Sequence, residues 1–204
     1  MNARSEILSR IRSAIADAPT PETIPRDYHR QSASEPGNVE FFARAVDDYR
    51  ARVHRADQNT ITGIVTGLID EDARVVLPPG MPDTWRPRRD VVVDGEPGVL
   101  STPELDAFDA VVTGCTLGIA TTGTIVLDGG QGQGRRALTL VPDHHICIVR
   151  TDQIVDTVPQ AFQALDPTRP LTFVSGPSAT SDIELERVEG VHGPRNLDVI
   201  ILGA

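Results

Sequence analysis

The sequence predicts one α/β domain with three layers, in which helices flank a mostly parallel sheet. Three observations predict it. The chain has 204 residues, of which 39% are hydrophobic, and this suits one sizeable core. From residue 73 onward, short runs rich in valine and isoleucine alternate with helical patterns, as they do in α/β proteins. Several of these runs are apolar on both faces, which is typical of central strands covered by helices.

The beginning of the chain predicts helices. Residues 1–58 are expected to form a helical N-terminal extension, and residues 59–204 the α/β core of the same domain. The first helix is predicted over residues 4–17, because apolar residues recur there at helical spacing and Asn2 stands at the N-cap position. The proline-rich residues 19–37 lack periodicity and are expected to form an extended connector.

Two further helices and a series of strands follow the connector. The second helix is predicted from Asn38, with an apolar stripe that reaches Val53, and the third from about Thr60. Another helix is predicted over residues 151–165, with a kink or a shortened start at Pro159. The predicted strands are ARVVLP, DVVVDG, FDAVVTG, TIVLDGG, ALTLVP, HICIVR, PLTFVSG and LDVIILG.

Composition argues against several classes of function. The net charge of −10 has the wrong sign for nucleic acid binding. All 19 basic residues are arginine, so neither a lysine Schiff base nor a P-loop lysine is available. Cys115 and Cys147 are too few to hold an iron–sulfur cluster and are expected to be buried thiols.

The sequence predicts no insertion into a membrane. No apolar run approaches the roughly 20 residues that cross a bilayer. The first 18 residues, MNARSEILSRIRSAIADA, carry charges between their apolar positions, unlike a signal peptide. Together these observations predict a cytoplasmic protein.

A glycine-rich stretch, DGGQGQGRR at residues 128–136, does not fit a nucleotide-binding loop. The dinucleotide fingerprint needs the spacing G-x-G-x-x-G ahead of a helix, whereas a predicted strand follows here. We interpret the stretch as a hairpin loop. Arg135 and Arg136 at its base could still clamp a carboxylate.

A threonine-rich turn, TTGT at residues 121–124, lies between the predicted strands FDAVVTG and TIVLDGG. Gly123 lets the backbone turn freely, and the hydroxyls of Thr121, Thr122 and Thr124 can join turn N–H groups in a donor nest for an anion. The alternative is an ordinary turn that caps a strand.

A second polar loop, GPSATSD, follows the strand PLTFVSG. Because ligands of open α/β sheets bind beyond the carboxyl ends of strands, both loops are candidates for one shared ligand site. Farther along, Asp182 and Glu184 could join His192 in a metal or acid–base set, or the two acids could form a solvated strand face. His144 and His145 are adjacent, so they cannot both face one site. The candidate ligand residues in this second loop and beyond it are Gly176, Ser178, Thr180, Asp182 and His192, and the weak catalytic candidates are Glu184 and His192.

Three strings together resemble the lactate utilization protein C family, also known as LUD-domain proteins. They are GIATTGTIVL, RRALTLVPDHHICIVRTDQIV and GPSATSDIELERVEGVHGPRNLDVIIL, and the resemblance runs through most of the chain. It implies a fold similar to the NagB/RpiA/CoA-transferase group. One departure is Thr121, where many relatives have an acid before the TGT string.

The resemblance also implies a function. It implies a non-redox subunit of an iron–sulfur system that oxidises L-lactate to pyruvate, with the clusters in partner proteins and no cofactor in this chain. Such a subunit would bind a small carboxylate or organise its partners. The alternative is a stand-alone enzyme of the CoA-transferase or sugar-phosphate type, in which Glu184 would be the nucleophile.

Overall fold

The structure is a computed structural model that describes residues 3–16, 38–180, 188–190 and 192–203. Its helices are α1 (Ala3–Ala14), α2 (Val39–Asp48), α3 (Ile61–Gly67), α4 (Thr102–Asp106) and α5 (Val158–Ala164). Its strands are β1 (Arg52–Ala56), β2 (Val75–Leu77), β3 (Val91–Val93), β4 (Ala110–Thr113), β5 (Leu117–Ile119), β6 (Thr124–Leu127), β7 (His144–Arg150), β8 (Ile154–Val155), β9 (Thr172–Val174), β10 (Ala179–Thr180), β11 (Val188–Glu189) and β12 (Asn196–Leu202).

The main sheet has six strands in the order β1-β12-β7-β4-β2-β3, and all of its pairings are parallel. Its central strands are buried on both faces, because side chains alternate along a strand and each face is covered. Ile146 and Ile148 pack in the cluster that contains α3. Cys147 and Val149 point the other way and pack with Phe42 of α2. The predicted α/β fold with a mostly parallel sheet is therefore confirmed.

A second, smaller sheet lies on the α2 side and has the order β8-β5-β6-β9. Ile125 and Leu127 of β6 face the main sheet, and Val126 between them faces away. Ala161 and Leu165, in and just after α5, cover that outer face. β10 and β11 form a separate antiparallel pair.

The second predicted helix is shorter than the sequence suggested. It ends at Asp48, and Arg50 then adopts a φ of +67°, which breaks the helix. Val53 lies in β1, which pairs with β12 in the main sheet. The apolar stripe continued through this break because Val53, half-buried in β1, packs against the same core cluster as Val46 of α2, so periodicity alone did not reveal it.

Two other elements differ from the sequence prediction. The predicted strand ALTLVP is wrong, because residues 136–139 form a 3-10 turn that buries Leu138 instead. The helix predicted over residues 151–165 begins only at Val158, with Pro159 in its first turn and the side chain of Thr157 in a capping box. The shortened start at Pro159 is thus confirmed. No helix within the described ranges is long and apolar enough to span a membrane.

Candidate functional site

The two loops singled out in the sequence lie at one edge of the second sheet. We call residues 121–124 the threonine turn and residues 175–180 the serine loop. Because β6 is antiparallel to both β5 and β9, those two strands run in the same direction and their carboxyl ends meet at one edge. The Oγ1 of Thr124 lies 2.8 Å from the Oγ of Ser175, so the two loops are in contact.

The threonine turn uses its hydroxyls within the protein. Gly123 has a φ of +55°, and a Cβ there would lie 2.5 Å from the carbonyl carbon of Ala45 in α2, so glycine is required. The Oγ1 atoms of Thr122 and Thr124 lie 2.7 Å apart, and Thr124 is buried. These bonds tie the turn to the serine loop and leave Thr122 partly exposed.

The serine loop is held against the segment that carries His192. The N–H of Ser178 donates to the carbonyl of Pro194 at 2.8 Å, and its hydroxyl accepts from the N–H of His192 at 3.1 Å. Gly176 has a φ of +82°, and a Cβ there would lie 2.4 Å from the carbonyl oxygen of Tyr49. Sequence-distant parts of the chain therefore fix the shape of this loop.

A cavity of about 330 Å³ opens beside the serine loop, and we call it the serine-loop cavity. Of the predicted ligand residues, Gly176, Ser178 and His192 line it. The predicted donors of the threonine turn are not among its described lining residues; they reach its wall through Ser175. The structure thus brings the loops together but presents the cavity mainly from the serine loop.

Part of the predicted site falls outside the described residues. This applies to Asp182 and Glu184, and Thr180 is described only by its backbone. The acid–base or metal set of these carboxylates with His192 therefore stays a prediction. Among the residues that the structure does describe, no three or more His, Cys, Asp or Glu side chains are arranged to hold a metal ion.

The two arginines at the base of the glycine-rich loop have different roles. The Nε of Arg135 donates to the Oδ2 of buried Asp94 at 2.7 Å, and its Nη2 donates to the other carboxylate oxygen. Burial raises the pKa of Asp94, but the bonds from Arg135 and from the N–H of Leu100 outweigh this and lower that pKa overall. Arg135 therefore has a structural role, and its guanidinium is already bonded to Asp94.

Arg136 remains available for a ligand. Its side chain is exposed, and within the described ranges it forms no ion pair. It lines the serine-loop cavity and also a neighbouring cavity of about 660 Å³ beside the glycine-rich loop, and Thr139 and Thr172 are shared in the same way. Sequence reasoning named Arg136 only as half of a clamp, because nothing local distinguishes it from Arg135.

His145 forms a buried side of the serine-loop cavity. It is 2% exposed, and its Nε2 lies 2.8 Å from the Oγ1 of Thr113. Cys147 and Cys115 are buried free thiols, as expected; the Sγ of Cys147 donates to the carbonyl of Gly114 and the Sγ of Cys115 donates to the Oε1 of Gln153, each at 3.8 Å. Interaction with Cys115, with smaller contributions from His145 and Thr113, lowers the pKa of Cys147 against the effect of burial, and the same interaction raises the pKa of Cys115.

Sequence reasoning missed a second polar cluster, which surrounds Asp198 at the amino ends of three adjacent strands. Asp198 is fully buried. Arg52 binds it through two bonds of 2.9 and 2.5 Å, and the Nε2 atoms of His54 and His144 each lie 2.6 Å from it. Burial raises the pKa of Asp198, but the bonds from His144, Arg52 and His54 prevail and hold it well below its usual range. The neighbouring His145 points to the opposite face, as the sequence predicted.

Comparison with known proteins places the chain in a family. Residues 102–202 match the LUD domain family. A lactate utilization protein C from Deinococcus radiodurans is 45% identical and covers 98% of this chain and 96% of its own length. Another lactate utilization protein C, from Bacillus pumilus, is 38% identical but covers only 45% of this chain and 40% of its own.

A solved structure is also similar. The crystal structure of a DUF162 family protein from Deinococcus radiodurans, at 1.70 Å resolution, superposes with a TM-score of 0.70 and is 42% identical. The match covers 81% of this chain and 96% of that chain. With a relative so similar over nearly its whole length, the chain belongs to the lactate utilization protein C family of LUD-domain proteins.

Proposed function

We propose that this protein acts in lactate utilization as a non-redox subunit that binds a small carboxylate, such as lactate or pyruvate, in the serine-loop cavity. The observation that carries the proposal is the guanidinium of Arg136, which pairs with no described carboxylate, in a cavity that Ser178 and His192 also line. The names of the relatives from Deinococcus radiodurans and Bacillus pumilus support the pathway.

The chemistry of the cavity suits a small anion. An arginine can bind a carboxylate through two parallel N–H···O bonds, and hydroxyl and imidazole groups nearby can bond the α-oxygen of a hydroxy or keto acid. The volume of about 330 Å³ is at the lower end of the range for small-molecule sites. A ligand of this size needs few donors, and Arg136, Ser178 and His192 supply them.

Local charge would decide where the anion binds. The chain carries a net charge of −10, so an anion is repelled from most of its surface. A neighbouring cavity, which shares His192 with the serine-loop cavity, is lined by Asp106, Asp109 and Asp143 against one arginine, Arg195, which already pairs with Asp143. A carboxylate is disfavoured there and would be held at the Arg136 end.

The oxidation itself is assigned to other proteins in this proposal. The chain has no dinucleotide fingerprint, no lysine and only two cysteines, and both cysteines are buried among core residues. We propose that iron–sulfur proteins take the electrons from lactate in the cytoplasm. This subunit would hold the carboxylate or position those partners.

Two experiments test the two halves of the proposal. Affinity purification from cells grown on lactate should recover cysteine-rich iron–sulfur proteins with the wild-type chain. Repeated recovery of the chain alone would contradict the subunit role. For the ligand, L-lactate or pyruvate should raise the melting temperature of the purified protein, whereas L-lactamide, the neutral amide of the same size as lactate, should not. An equal effect of lactamide would contradict carboxylate binding.

A further inference from the structure

The N-terminal helix α1 presents an apolar stripe that no described residue covers. The helix has 12 residues and buries none of them. Helices of this length are marginal in water unless their apolar face packs on something. The stripe consists of Ile7, Leu8, Ile11 and Ile15, which are between 36% and 61% exposed.

A second exposed apolar surface lies on α5 and β9, and we call it the aromatic patch. It consists of Val158, Phe162 and Phe173, which are 36%, 57% and 44% exposed. The rings of Phe162 and Phe173 stack with their centroids 5.8 Å apart. Val158 and Phe162 are four residues apart on α5, so they form a ridge of the kind that packs against the ridges of another helix.

The connector between α1 and the domain is long enough for α1 to reach this patch. Residues 17–37 connect Ala16 to Asn38 and could span up to about 70 Å if fully extended. The N–H of Asn38 donates to the carboxylate of Asp156 at 3.2 Å, and Asp156 lies two residues before α5. Asn38, the residue that follows the connector, is therefore bound two residues before the start of α5, which carries part of the aromatic patch.

Charge attracts α1 to the domain as a whole. α1 carries Arg4, Arg10 and Arg12 against one acid, Glu6, so it is cationic, whereas residues 61–204 hold 20 acids against 10 arginines. A tethered segment also meets its own domain at an effective concentration in the millimolar range. We propose that α1 packs its apolar stripe on the aromatic patch of the same chain. This inference does not depend on what the serine-loop cavity binds.

Hydrogen exchange on the full-length protein tests the contact. Ile11→Asp places a charge in the stripe, and Ser13→Asp places the same charge on the opposite face of α1. Exchange of the α5 amides should be about tenfold faster in Ile11→Asp than in the wild type and unchanged in Ser13→Asp. Equal exchange in the two variants would overturn the proposal.

A substitution in the aromatic patch and a measurement of the oligomeric state complete the test. Phe162→Asp should speed the exchange of the α1 amides, whereas Gln163→Asp, on the same helix, should not. Light scattering should give the mass of a monomer under the conditions in which the α5 amides of the wild type are protected from hydrogen exchange. A dimer whose protection rises with protein concentration would assign the patch to α1 of a second copy and overturn packing within one chain.

Discussion

The hydroxyl oxygens of Thr124 and Ser175 lie 2.8 Å apart although 51 positions separate the two residues in the chain. This bond connects the two loops at the carboxyl ends of β5 and β9, because Thr124 is the last residue of the threonine turn and Ser175 is the first residue of the serine loop. Thr122 extends the chain of hydroxyls by one more bond, of 2.7 Å. The loops are therefore coupled, and the serine loop presents the cavity.

Thr124→Val should destabilise the protein by about 1 kcal/mol, because valine keeps the shape but leaves the hydroxyls of Thr122 and Ser175 without their shared partner. Thr121→Val is the matched control, since Thr121 lies in the same turn and its side chain is exposed. Urea denaturation measures both free energies of unfolding. Equal effects of the two substitutions would mean that the Thr124–Ser175 bond contributes nothing.

Gly176→Ala should lower the free energy of unfolding by about 2 kcal/mol or more, because the positive φ and the nearby carbonyl of Tyr49 exclude a Cβ. Gly63→Ala provides the contrast. Gly63 lies within α3, and no atom there comes within 4 Å of the position that a Cβ would take, so alanine should raise the stability by about 0.5–1 kcal/mol. A neutral Gly176→Ala in the same denaturation assay would contradict the described loop conformation.

Asp198→Asn should cost about 2–4 kcal/mol, because it removes the buried charge that Arg52, His54 and His144 share. The control is Asp143→Asn, which breaks an exposed ion pair with Arg195 and should cost less than about 1 kcal/mol. Thermal or chemical unfolding distinguishes them. Similar losses in the two variants would show that the Asp198 cluster is not a stabilising centre.

The same carboxylate predicts how stability depends on pH. The pKa of Asp198 is lowered from its ordinary value of 3.8, so the unfolded state binds a proton more readily than the folded state. Its contribution is fully present above that ordinary pKa and is lost as the pH falls below about 4. The stability difference between wild type and Asp198→Asn should therefore shrink between about pH 5 and pH 3. A difference that stays constant over this interval would contradict the assignment.

Local patterns in the sequence were sufficient for most elements of the main sheet. Runs such as HICIVR and LDVIILG are apolar on both faces, and they form the buried strands β7 and β12. Patterns could not separate one sheet from two, because β5 and β6 are as apolar as the main strands. The break at Arg50 was hidden for a related reason, since β1 continues the apolar residues of α2.

Long-range pairing explains what the sequence could not predict in the site. The serine loop was recognised from its glycine and hydroxyl residues, but the difference between Arg135 and Arg136 depends on Asp94, which is far away in the chain. The cluster around Asp198 likewise takes its members from β1, β7 and β12. Such contacts follow from strand order, and no local spacing records them.

Calorimetry on the full-length Arg136→Gln variant, with L-lactate and pyruvate as ligands, measures whether the serine-loop cavity binds a carboxylate through Arg136. Arg150→Gln is the control, because Arg150 is an exposed arginine paired with Asp152 and does not line the cavity. The loss of a charged hydrogen-bond donor should weaken binding by about tenfold to a hundredfold in Arg136→Gln and leave Arg150→Gln unchanged. Wild-type affinity in Arg136→Gln would contradict the assignment of the serine-loop cavity as a carboxylate site.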